Sequence, residues 1–148
     1  MSCQSPIVVA LDYPTIDQAT AMAKRLDPKL CRVKVGKELF TKAGPAILEE
    51  LHKLDFDVFL DLKFHDIPST VEKTARQAVR FGANMFTIHT LGGYDMMKAV
   101  SEAVKEEAEK QSYPKPLVLG VTVLTSHDKK SLEQIGISTS TQDTVLNL

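Results

Sequence analysis

The sequence predicts an α/β fold built on a parallel sheet, and three observations carry that prediction. Five short apolar runs rich in β-branched residues start at Ile7, Arg32, Asp57, Met85 and Leu117, in steps of 25, 25, 28 and 32 residues. The runs are continuous rather than alternating, as expected of strands buried on both faces. Segments of helical periodicity separate them, which is the pattern of repeated strand–helix units.

The first strand is expected over 7–11 (IVVAL). A helix over 16–26 follows, with Thr15 as N-cap and Ala19, Met22, Ala23 and Leu26 on one face. The second strand is 32–35 (RVKV). Pro45 falls early in the next helix, where its missing N–H costs little, and Ile47, Leu48 and Leu51 follow at helical spacing. The third strand is 58–62 (VFLDL), followed by a helix over 69–81 that aligns Val71, Ala75, Ala78 and Val79, with Gly82 at its C′ position. The fourth strand is 85–89 (MFTIH), and the helix over 96–110 ends in KEEAEK, a solvated charged face. A fifth strand over 117–124 (LVLGVTVL) precedes a short helix over 128–135, and 141–148 reads as the start of another.

Composition bounds the function. The 148 residues carry a formal net charge of −1, with 43% hydrophobic and 25% charged residues, the balance of a globular chain rather than a disordered one. Near-neutrality argues against a nucleic-acid or anionic-membrane binder, since both want a basic excess. No apolar run approaches the ~20 residues of a spanning helix, and residues 1–6 lack the pattern of a signal peptide. Cys3 and Cys31 are too few for a disulfide framework and lack metal-ligand spacing, so they read as reduced thiols in a cytoplasmic protein. With no Pro/Gly linker, 1–148 is expected to be one domain. Two architectures remain, a doubly wound sheet and a (β/α)8 barrel. The first strand leads into ALDYPT rather than a GxGxxG turn, so dinucleotide binding has no support. At ~31 residues per unit of a ~250-residue barrel, this length holds about five units.

Polar residues cluster where the strands end: Asp12 after the first, Lys34 in the second, Asp61 and Lys63 in the third, His89 and Thr90 on the fourth, Thr125 and Ser126 on the fifth. In α/β folds that edge is where sites are built. Asp61 and Lys63, two apart, are expected on one face of their strand, with Asp66 beyond the strand end. The implied arrangement is an array of alternating ammonium and carboxylate groups at one mouth, serving either chemistry or a structural ion-pair network. His65 and His89 read as hydrogen-bonded core or rim residues rather than ligands, Gly92–Gly93 as a strand-to-helix turn, and Met96–Met97 as helix packing.

At these residues the chain resembles a known family. LDLKFHDIP at 60–68 is similar to the Asp-x-Lys-x-x-Asp signature of the orotidine 5′-phosphate decarboxylases. VVALDYP at 8–14, VKVGKELF at 33–40 and VTVLTS at 121–126 agree with it in order. The resemblance implies a homodimeric (β/α)8 TIM barrel, of which this chain supplies roughly the first five βα units and stops within or before the sixth. It implies conversion of orotidine 5′-monophosphate to uridine 5′-monophosphate in pyrimidine biosynthesis, with no metal and no organic cofactor. By position, Lys63 would protonate the ring carbon, Asp61 would crowd the substrate carboxylate, and Lys34 would pair with Asp61 and touch the ribose. Asp12 would also bind ribose, and Thr125 would contact the pyrimidine edge. Asp66, Ile67 and Thr70 would reach into the neighbouring subunit's site. The family's phosphate-gripping loop lies in a C-terminal third that these 148 residues do not contain, so the chain alone is expected to be inactive. Two alternatives stay open. One is a magnesium-dependent sugar-phosphate lyase on the same barrel, although a cation at Lys34 would repel the metal. The other is a non-catalytic fragment.

Overall fold

A computed structural model describes residues 5–148 of the chain; Cys3 lies outside them. Five strands, β1 (Val8–Ala10), β2 (Arg32–Gly36), β3 (Val58–Phe64), β4 (Met85–His89) and β5 (Leu117–Val121), form one sheet in the order β1-β2-β3-β4-β5. Every neighbouring pair is parallel. Strand order never reverses, so the sheet has no topological switch point of the doubly wound kind. Uniform right-handed crossovers then place the connecting helices on one side.

Those helices are α1 (Ile16–Ala23), α2 (Lys37–Ala43), α3 (Ala46–His52), α4 (Pro68–Arg80) and α5 (Gly93–Gln111), with α6 (Lys129–Gln134) and α7 (Thr141–Asn147) after β5. Thr15 caps α1 as expected, its hydroxyl accepting from the Gln18 N–H at 3.3 Å. The helix stops at Ala23 instead of running to 26. Arg25 and Leu26 already make i to i−3 bonds, and Pro28 biases the residue before it away from the helical region. The helix expected from Pro45 onward is α3, and a separate helix that the sequence reading did not give, α2, precedes it. Gly44, at φ 59°, turns the chain between them, and Pro45 cannot donate into a continuing helix. β5 ends at Val121 rather than at 124, because its partner β4 ends opposite it at His89. The Thr90 hydroxyl caps the last carbonyl, that of Val121, at 3.0 Å.

Alternation along the inner strands sorts their two faces. Val33, Val35, Val58, Leu60, Phe86 and Ile88 are buried in one core with Ile47, Leu48 and Leu51 of α3, Val71, Ala75, Ala78 and Val79 of α4, and Met96, Val100 and Val104 of α5. The residues between them, Lys34, Asp61, Thr87 and His89, face the other way.

One charged residue crosses this apolar layer. Glu107 of α5 is 2% exposed and accepts from Arg80 Nε of α4 at 2.8 Å and from Gln111 at 2.8 Å. Arg80, with help from Gln111, outweighs burial and holds its carboxyl well below the ordinary 4.5, at about 2. A depressed carboxyl stabilises the fold fully above its ordinary value, and the contribution is lost as the pH falls through the folded value. Glu107→Gln and Arg80→Ala should each lower the melting temperature by several degrees at pH 7, read by circular dichroism. The gap between wild type and Glu107→Gln should narrow as the pH falls from 4.5 toward 2.

Candidate active site

The four charged residues nearest the strand ends meet in a row. Asp12 follows β1, Lys34 is the middle of β2, and Asp61 and Lys63 lie in β3. The parallel register sets Ala10 beside Lys34 and Gly36 beside Asp61, so consecutive strands deliver their polar residues to one side of the sheet. Lys34 Nζ stands 3.3 Å from Asp12 Oδ1 and 3.7 Å from Asp61 Oδ2. Lys63 Nζ stands 2.7 Å from Asp61 Oδ1. Carboxylate, ammonium, carboxylate and ammonium alternate, as the spacing predicted. Gly36 borders the row: a Cβ there would sit 3.5 Å from Asp12 Oδ1 and 3.6 Å from Lys34 Nζ, ordinary van der Waals contact.

Lys63 reaches this row by an irregular route. In a regular strand, residues 61 and 63 share a face by simple alternation. Here Leu60 pairs with Phe86 and Phe64 with Ile88, so β3 spends four residues where β4 spends two. Within that bulge Lys63 adopts φ 53°, the left-handed region that costs a non-glycine residue on the order of 1–3 kcal/mol. Asp61 and Lys63 converge through the bulge rather than through alternation.

Thr87, which the sequence reading passed over, sits behind the pair. Its side chain is buried, its Oγ1 donates to Asp61 Oδ1 at 3.0 Å, and the same oxygen accepts the Lys63 backbone N–H at 2.9 Å. The signal was present as one hydroxyl in the otherwise apolar start of MFTIH, two residues before His89 and so on the same face.

Electrostatics follow the geometry. Burial opposes ionisation of Asp61, but the Lys63 hydrogen bond, then that of Thr87, then the Lys63 and Lys34 charges outweigh it and hold the carboxyl below its ordinary value. His89, at the end of β4, is shifted down by burial first and then by His65, Lys37 and Lys63. Its ring centroid lies 5.4 Å from that of His65, and its Nδ1 is buried without a hydrogen-bond partner among the described residues. His65 is exposed and His89 partly buried, so neither is a core residue, and the hydrogen bond expected of His89 is not met at Nδ1 among the described residues; Gly93 turns the chain into α5 at φ 82°.

The remaining predicted residues stand apart from the row. Asp66 is exposed and its carboxylate accepts the Ile67 N–H at 2.7 Å, closing the turn before α4. Ile67 is 64% exposed at the start of α4, and Thr70 is exposed in its first turn. Thr125 is exposed in a turn beyond β5. Among the described residues, no hydrogen bond or ion pair joins these four to the row, and no group of three or more His, Cys, Asp or Glu is placed to hold a metal ion. No helix among them is long and apolar enough to cross a membrane.

The model of the orotidine 5′-phosphate decarboxylase / HUMPS family matches residues 5–148. The chain belongs to this family. Over 148 residues it is 55% identical to an orotidine 5′-phosphate decarboxylase of Marinomonas sp. (strain MWYL1), covering 100% of this chain and 61% of that protein. Among solved structures, orotidine 5′-phosphate decarboxylase from Lactobacillus acidophilus matches with TM-score 0.88 and 32% identity, over 97% of this chain and 65% of that one. An uncharacterized conserved protein from Geobacillus kaustophilus matches with TM-score 0.89 and 36% identity, over 96% and 66%. The chain thus spans about 61% of the length of the curated relatives it matches. Its five parallel units have the fold of a partial family barrel, consistent with the unreversed strand order.

The charge row makes a direct prediction. Followed by carboxyl NMR, Asp61 should titrate below the ordinary aspartate value. Lys63→Met should raise its titration more than Lys34→Met does, because the 2.7 Å hydrogen bond is lost in the first and a 3.7 Å contact in the second. Equal shifts would mean that the two lysines act only as distant charges.

Proposed function

We propose that the charge row is the catalytic centre of an orotidine 5′-monophosphate decarboxylase, with the five units as one domain completed by further barrel units. The observation that carries the reading is the Lys63 ammonium held 2.7 Å from Asp61 at the strand ends, in a family whose similar members bear that enzyme's name.

Decarboxylation breaks the bond between the ring carbon and the departing carboxyl and leaves the electron pair on that carbon. A fixed ammonium beside the developing charge stabilises it, and a proton from Lys63 Nζ then forms the new C–H bond as carbon dioxide leaves. Lys63, left neutral, regains its proton from solvent. Asp61 places negative charge next to the substrate carboxylate, which disfavours the bound acid more than the carbon dioxide formed from it. Lys34 keeps Asp61 ionised and, with Asp12, offers hydrogen bonds to ribose hydroxyls. Schiff-base chemistry by Lys63 is disfavoured, since adjacent carboxylates stabilise the protonated amine. No metal or organic cofactor enters these steps.

Asp66, Ile67 and Thr70 stand outside the row and exposed, which suits residues that complete the pocket of a second copy. In this reading the protein is a cytoplasmic homodimer with shared sites, and Thr125 meets the pyrimidine edge from the β5 side.

The test joins the chain to the portion of the Marinomonas enzyme that it does not match. Lys63→Ala in that protein should lower decarboxylation by at least ~10²–10⁴-fold, the usual worth of a general acid, while uridine monophosphate still binds. Near-wild-type turnover would sink the assignment. Dialysis against a chelator should leave activity unchanged, whereas strict dependence on Mg²⁺ would favour a sugar-phosphate lyase.

Mixing the inactive Lys63→Ala and Asp66→Ala proteins tests the shared site. A mixed dimer regains one site with both groups native, so activity should partly return. No recovery on mixing, with subunit exchange demonstrated, would place Asp66 in its own subunit's site or in none.

A further inference from the structure

We infer that Thr87 is a positioning residue that holds both the carboxylate of Asp61 and the backbone of Lys63 in place; the inference rests on the catalytic role proposed for that pair. The hydroxyl of threonine has one proton to donate and two lone pairs to accept with. At Thr87 the proton goes to Asp61 Oδ1 at 3.0 Å, and a lone pair takes the Lys63 N–H at 2.9 Å. One buried oxygen therefore holds both ends of the Asp61–Lys63 step.

The bulge explains the need. The register slips between Leu60 and Phe64, the pairing with β2 ends at Asp61, and no ladder pair among the described residues includes Lys63, so its N–H has no strand carbonyl assigned to it. A backbone N–H left unmet in a partly buried site costs as much as a lost hydrogen bond. The Thr87 hydroxyl supplies the acceptor and so stabilises the left-handed turn at Lys63, φ 53°. That turn aims Nζ at Asp61. Without the hydroxyl, the lysine backbone loses its anchor at the point where it departs from strand geometry, and Asp61 loses a donor to its charged form. A displacement of about 1 Å in a reacting group can cost ~10²-fold in rate.

The test compares Thr87→Val, which keeps the shape and removes the hydrogen bonds, with Thr87→Ser, which keeps the hydroxyl. In the 148-residue chain, Thr87→Val should raise the Asp61 titration and speed exchange of the Lys63 amide, and Thr87→Ser should restore both. If Thr87→Val does not fold, Thr87→Cys, with only a weak thiol donor, should shift Asp61 in the same direction. In the protein joined to the Marinomonas portion, Thr87→Val should lower kcat by about 10²-fold with little change in KM, and Thr87→Ser should recover it. A lower melting temperature with Asp61 and the Lys63 amide unchanged would show a merely structural hydroxyl and overturn the inference. So would a shifted Asp61 with unchanged kcat in an active enzyme. If the joined wild type itself does not decarboxylate, the proposed function fails, and the Asp61 and Lys63 readouts still decide whether Thr87 holds them.

Discussion

The Asp61 carboxylate is shared between two ammonium groups and a hydroxyl, and keeping it ionised organises the surrounding structure. A half-buried charge is tolerated when paired and hydrogen-bonded, and it becomes a liability when one partner is lost. Oδ1 is taken by Lys63 and Thr87, and Oδ2 faces Lys34. Each partner comes from a different place in the sheet: the same strand, the next one along, and the preceding one. The parallel register and the bulge in β3 both bear on whether these groups can meet.

The outer layer serves the opposite purpose. Helices α3, α4 and α5 cover the sheet with aliphatic side chains, and the Arg80–Glu107 pair ties α4 to α5 where a long charged side chain would otherwise be misplaced. That layer packs against the strands from behind, so the polar row on the other face stands on a supported sheet. A site whose chemistry depends on charge placement belongs on such a scaffold rather than on loops.

Much of this was legible in the sequence because periodicity and chemistry agreed there. The strands at 32–35, 58–62 and 85–89 and the buried face of the helix 69–81 followed from apolar spacing, and Thr15 announced its cap. Asp12, Lys34, Asp61 and Lys63 were visible because charge inside an apolar run is conspicuous. Element ends were less legible, because they are decided between segments: β5 stops where β4 stops, and α2, which ends at Gly44 just before Pro45, was not read at all. The bulge was hidden, since no residue between 60 and 64 is a glycine that would betray a left-handed turn. Thr87 was missed for a related reason. A single threonine in a strand is ordinary until the backbone it supports is known to leave the ladder.

The row and its hydroxyl are joined across neighbouring strands: Asp12 and Lys34 are separated by 22 positions, and Thr87 lies 24 and 26 positions from Lys63 and Asp61, each about one strand–helix unit. Closing a loop of that length costs chain entropy that grows only slowly with further length. The row also draws only on the first four strands, so nothing in it waits for β5 or anything after it. The hydrogen bonds and ion pairs of the row are therefore complete within the first four strand–helix units, and what lies beyond them can vary without removing any of its members.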